Sequence, residues 1–166
     1  ILEKAAADHG IPVAYAEHYD EKPASPFEQS VAMASFFYST AETMATTQEQ
    51  LSQAQRRTIL ELAEQGPCII VGRCANYILR DHPSVLDVFI FASREMRERT
   101  LMERFGKTEG EARRMLRRIE KERGTYYKIN TGRDWQNPDN YDLMLDSGRF
   151  GLERAVDILA AAYRCA

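Results

Sequence analysis

The stretch Cys68–Asp81, CIIVGRCANYILRD, carries the first clue to the fold. Four residues, Cys68 to Val71, form an apolar run that meets Gly72 and Arg73 directly, and a helix-like pattern resumes within two residues. A short apolar run bounded by turn residues reads as a buried strand. A strand whose carboxyl end delivers a glycine and an arginine looks like one edge of a ligand crevice, because ligands of open α/β sheets bind outside the carboxyl ends of the strands.

Outward from this stretch, strands and helices alternate. Upstream, residues 46–66 (TTQEQLSQAQRRTILELAEQG) place Leu51, Ala54, Thr58, Ile59 and Leu62 near helical spacing and stop at Gly66, with Thr46 and Glu49 at capping-box distance. Arg56 and Arg57 fall within this helix, where one can lie on the solvated face while the other points toward a ligand; Arg57 is carried forward as the candidate. Downstream, NYILRDHP predicts a short helix or turn, and Val85–Ala92 a second buried strand. Residues 93–106 predict a helix capped by Ser93 and closed by Gly106, and Thr108 with Glu111 caps another whose apolar side is Ala112, Met115, Leu116 and Ile119. YDLMLDS predicts a third strand, and residues 150–163 a terminal helix with Leu152, Val156, Leu159 and Tyr163 on one side. This alternation predicts an α/β layered domain with a mostly parallel sheet.

Composition bounds the rest. The 166 residues are 44% hydrophobic and 28% charged with a formal charge of -3, which suits one ordinary domain with a real core and gives no overall basic field for nucleic acid. The apolar runs are far shorter than a membrane span, so a cytoplasmic protein with no membrane or nucleic-acid partner is expected. Cys68, Cys74 and Cys165 show no metal spacing with His9, His18 and His82, so no metal site is predicted; Cys68 reads as a small buried hydrophobe. ILEKAAADHG reads as the last turns of a helix ending at Gly10, which predicts that the chain begins inside a longer protein. Residues 11–27 read as an extended connector. Residues 28–45 read as a helix or broken helix whose Phe36, Phe37 and Tyr38 form ordinary core, a substrate-facing wall or a homodimer contact.

Arginines gather beyond the second strand. Arg113 and Arg117 are four apart, as are Arg114 and Arg118, so two positive ridges run along one helix and need acids or an anion beside them. Glu109, Glu111, Glu120 and Glu122 can supply the acids, leaving a solvated, ion-paired helix as one reading. The other is an anion clamp over phosphates, with GTYYKINTG behind it as a glycine hinge. Tyr126, Tyr127 and Trp135 as stacking platforms for nucleic acid are a weaker third.

The linked order of GPCIIVGRCANYILRD, LDVFIFAS, RRIEKERGTYYKINTGRDW and YDLMLDSGRFGLE resembles the cytidylate kinase-like family of P-loop proteins over nearly the whole chain. That resemblance implies a P-loop NTPase-like three-layer domain over residues 1–166, incomplete at its N-terminus, with an arginine-rich lid within residues 93–135. It implies transfer of the ATP γ-phosphoryl group, with Mg²⁺, to a nucleoside monophosphate such as CMP or to a related small acceptor. A noncatalytic protein that binds a nucleotide or phosphometabolite is the alternative. By the same resemblance Arg73 binds the acceptor, to which Arg57 is added as a candidate from its helix position alone; Arg114, Arg117, Arg118 and Arg123 contact the transferred phosphates; Arg97 and Asp146 serve the donor nucleotide, Asp146 alternatively capping the backbone after it. Cys74 stands where the related kinases carry an aspartate, and no segment has the G-x-x-x-x-G-K-[ST] spacing of a phosphate cradle. In the family that cradle lies before the position of Ile1, so the chain is expected to lack it.

Overall fold

The computed structural model describes residues 47–165, with side chains from Ser52 onward. The expectations for residues 1–46, including the aromatic run at 36–38, lie outside the described residues. Two units are distinguished, residues 1–78 and 79–166.

In the first unit, α1 (Thr47–Gln65) follows the helical spacing of the sequence. Ala54, Thr58 and Ile59 are fully or nearly buried along it, whereas Leu60 is partly exposed. A single short helix, α2 (Ala75–Ile78), follows. Between them the expected strand at 68–71 is absent: Ile69 is 94% exposed and Val71 84%, and Cys68 is an exposed thiol rather than a buried one. The correction has a physical basis. β-branched residues favour a strand, but a strand exists only where neighbours satisfy its backbone N–H and C=O groups, and the sequence pattern of one segment does not supply a neighbour.

The second unit is built on two parallel strands, β1 (Val88–Phe91) and β2 (Leu143–Asp146), in the register Val88 to Leu143 through Phe91 to Asp146. They are the only strands among the described residues, where three were expected. A parallel pair requires a long crossover, here supplied by α3 (Arg94–Phe105) and α4 (Glu109–Thr131). Ser93 Oγ accepts from Met96 N to start α3, and Gly106, at φ 60°, ends it in a left-handed conformation suited to glycine. Thr108 and Glu111 form the reciprocal capping box of α4. Ala112, Leu116 and Tyr127 are its buried residues.

α4 does not hinge at Gly124, contrary to the sequence expectation; it runs unbroken to Thr131. Gly124 serves a close approach instead. A Cβ there would lie 3.3 Å from Trp135 Nε1. Trp135 in turn stands edge-on to Phe89 of β1 with ring centroids 5.5 Å apart, and the Tyr141 hydroxyl donates to the Trp135 carbonyl at 2.6 Å while its ring packs 5.0 Å from Phe89. The helix is thereby keyed to the sheet through aromatic packing.

After β2 come α5 (Ser147–Phe150) and α6 (Leu152–Cys165). On α6 only Ala155 is buried; Leu152, Val156 and Tyr163, expected on one apolar side, are exposed. Their spacing puts these side chains on one side of the helix, and that side is left largely uncovered by the described residues.

The Gly124–Trp135 contact gives a direct test. Gly124→Val overpacks it and should lower stability by about 1–3 kcal/mol, with a shifted emission maximum because Trp135 is the only tryptophan. An unchanged denaturation midpoint and spectrum would remove Gly124 from the packing account.

Candidate functional site

The parallel register brings the carboxyl ends of β1 and β2 side by side. Ser147 Oγ donates to the Phe91 carbonyl at 3.0 Å, tying the turn after β2 to the end of β1. Asp146 Oδ1 accepts from Gly148 N at 2.9 Å and Arg149 N at 3.1 Å, so this carboxylate organises the turn. A Cβ on Gly148 would sit 3.2 Å from Ala92 Cβ and 3.5 Å from Met96 Cγ, which shows how tightly that turn lies against the start of α3.

Arg97 is in the first turns of α3, immediately beyond this contact. It is half-buried, and its Nη1 pairs with Glu120 of α4. Its Nε is buried and has no hydrogen-bond partner among the described residues. An unmet buried donor costs roughly 1–3 kcal/mol, and charged donors more, so such groups call for an explanation.

A second ion-pair chain joins the same helices. Glu98 accepts from Arg94 Nε at 2.9 Å and Arg113 Nε at 3.4 Å, while Arg113 also pairs with Glu109. The Arg94 hydrogen bond, and then that of Arg113, hold the Glu98 carboxyl below its usual range. Of the expected phosphate-contacting arginines, Arg114, Arg117, Arg118 and Arg123 are all exposed on α4. Arg118 Nε lies 3.9 Å from Glu122, whereas Arg114 and Arg117 have no ion pair among the described residues.

Arg57 and Arg73 belong to the first unit. Arg57 is exposed on α1. Arg73 is half-buried at φ 56°, between Gly72 at 76° and buried Cys74 at 53°. Three successive left-handed residues make a tight reversal, closed by Ala75 N donating to the Gly72 carbonyl at 3.1 Å and Ile78 N to the Cys74 carbonyl at 2.9 Å. For Arg73 and Cys74 this backbone costs roughly 1–2 kcal/mol each. Strain of this kind gathers where a side chain must be aimed.

Two groups were not singled out from the sequence. Glu120 was read only as one of several acids offsetting the arginine ridges, because its partner lies 23 positions upstream and no helical spacing relates them. The Asp87–Asp142 pair lies at the amino ends of the strands, away from the arginines: Asp142 Oδ2 accepts from Asp87 N at 2.8 Å. Burial, and then the Asp142 charge, push the Asp87 carboxyl up to about 6. Among the described residues no group of three or more His, Cys, Asp or Glu could hold a metal ion, and no helix is long and apolar enough to cross a membrane.

Residues 1–149 match the cytidylate kinase-like family. The chain belongs to this family. A cytidylate kinase of Methanopyrus kandleri is 33% identical over 110 residues, which are 61% of this chain and 57% of that protein. The chain therefore matches a little over half the length of that relative. A crystal structure of an uncharacterized protein from Eubacterium ventriosum superposes with a TM-score of 0.68, covering 99% of this chain and 90% of the other at 23% identity, a likeness of fold.

The Asp87 titration sets a pH dependence. A carboxyl whose folded value is raised adds stability that is complete below about pH 4 and is lost as pH rises through about 6. Asp87→Asn should therefore be more stable than the parent at pH 7.5 by about 1 kcal/mol, a figure discounted for the group's partial exposure, and the gap should close by about pH 4. Thermal melts across that range check it; a gap independent of pH would contradict the assignment.

Proposed function

We propose that the full-length protein transfers the γ-phosphoryl group of ATP to a nucleoside monophosphate, such as CMP, or to a related small phosphorylated acceptor. The observation that carries this reading is the placing of α4. Its Arg114 and Arg117, without an ion pair among the described residues, sit on a helix tied by Arg97–Glu120 and Glu98–Arg113 to the element leaving β1, beside the carboxyl ends of the strands where α/β proteins take ligands. Family membership supports it.

On this reading residues 1–166 act as one P-loop kinase-like domain of three layers and residues 93–135 form its lid. Phosphoryl transfer spreads negative charge over the equatorial oxygens and asks for positioning and cationic donors more than for a base. Arg114, Arg117, Arg118 and Arg123 would meet that charge, and Arg97 would meet the donor phosphates, for which its unmet Nε is suited. Asp146 would hold the loop beside the donor nucleotide through its bonds to Gly148 and Arg149. Arg73, aimed by its left-handed turn, would hold the acceptor phosphate, with Arg57 as a second donor. Mg²⁺ would arrive with the ATP phosphates; among the described residues no carboxylate cluster fits it. Buried Cys74 in place of an acid leaves the acceptor's base or sugar without a carboxylate acceptor at this turn, which would change its selection.

Steady-state kinetics of the full-length protein test the assignments. Arg73→Ala should raise the acceptor KM at least about tenfold with little change in the ATP KM, and Arg117→Ala should lower kcat by about 10²-fold, as for loss of one transition-state donor. Parent-like constants for both variants would contradict these roles.

A further inference from the structure

Among the described residues Arg97 is held from one side only. The Glu120 carboxylate takes Nη1, leaving Nε buried and unmet among the described residues. A guanidinium offers five donors in a rigid fork and suits an anion that engages a second edge while a carboxylate fixes the first. The surroundings limit what that anion can be. Arg97 stands one turn after Ser93, and its neighbour Met96 lies against the Gly148 turn at the ends of both strands.

We propose that Glu120 is a positioning residue: it braces Arg97 so that the free edge of the guanidinium binds a phosphoryl group of the donor polyphosphate, and it makes the placing of α4 depend on that binding. The phosphate class of ligand rests on the proposed kinase reading; the brace does not. Arg97 touches the ligand, and Glu120 acts through it. A carboxylate contributed by α4 rather than by α3 itself has a consequence. Arg97 is oriented only when the arginine-bearing helix is docked, so docking and polyphosphate binding favour each other.

A ligand whose binding needs no turnover separates this from the kinase reading. Inorganic tripolyphosphate is titrated calorimetrically into the full-length protein, with Trp135 emission following α4 in parallel. Glu120→Gln should weaken tripolyphosphate about tenfold, Glu120→Asp should recover part of the loss, and Arg97→Ala should weaken it at least as much as Glu120→Gln. In an Arg97→Ala background Glu120→Gln should cost nothing more, because a brace has no effect without the group it holds. The proposal is overturned if Glu120→Gln binds tripolyphosphate like the parent, if it weakens binding equally with and without Arg97, or if the parent binds no tripolyphosphate. Coupled binding without ADP formation by the parent would uphold the brace and dismiss the kinase reading; turnover without coupling would do the reverse.

Discussion

Parallel pairing of Val88–Phe91 with Leu143–Asp146 is the constraint on which the second unit depends. Parallel strands cannot be joined by a tight turn, so the chain between them must travel the length of the sheet and return. It does so as α3 and α4, and the pairing then places the outgoing end of β1 next to the outgoing end of β2. Ser147 donating to the Phe91 carbonyl locks those ends together, and Gly148 lets the second turn lie against the first residues of α3. A one-residue slip would move Asp146 off its partner and turn every side chain of the strand to the other face.

The crossover also solves an electrostatic problem. A helix with arginines at 113, 114, 117 and 118 repels itself, and along each of its two ridges one arginine meets an acid, Arg113 on one and Arg118 on the other. Arg113 is shared between Glu98 and Glu109, which couples α4 to α3, while Arg114 and Arg117 are left without an ion pair among the described residues. Surface ion pairs contribute little each. Their value here is geometric: Glu98–Arg113 and Arg97–Glu120 cross from one helix to the other, and Trp135 fixes the far half of α4 at Gly124.

Local signals in the sequence were legible. Ser93, Thr108, Glu111, Gly106 and Gly66 marked the helix ends because caps are set by the residues nearest to them. The strands at 88–91 and 143–146 were visible as short apolar runs with the correct alternation from helix to strand. What the sequence did not disclose is set by partners distant along the chain. The 68–71 run has strand composition without a strand partner among the described residues, Gly124 looked like a hinge because Trp135 is 11 positions away, and Glu120 was one acid among several until Arg97 was seen against it. Of the candidate site, the arginines were legible as residue types in a pattern; which of them are braced, which shared and which lack an ion pair among the described residues was not.

The most direct measurement is ADP formation by the full-length protein from ATP and Mg²⁺, with and without a panel of nucleoside monophosphates that includes CMP. Phosphotransfer predicts ADP formation that depends on the acceptor, with a diphosphate product appearing in equal amount. Tight nucleotide binding with no acceptor-dependent ADP would contradict it and leave a nucleotide-binding protein of the same fold.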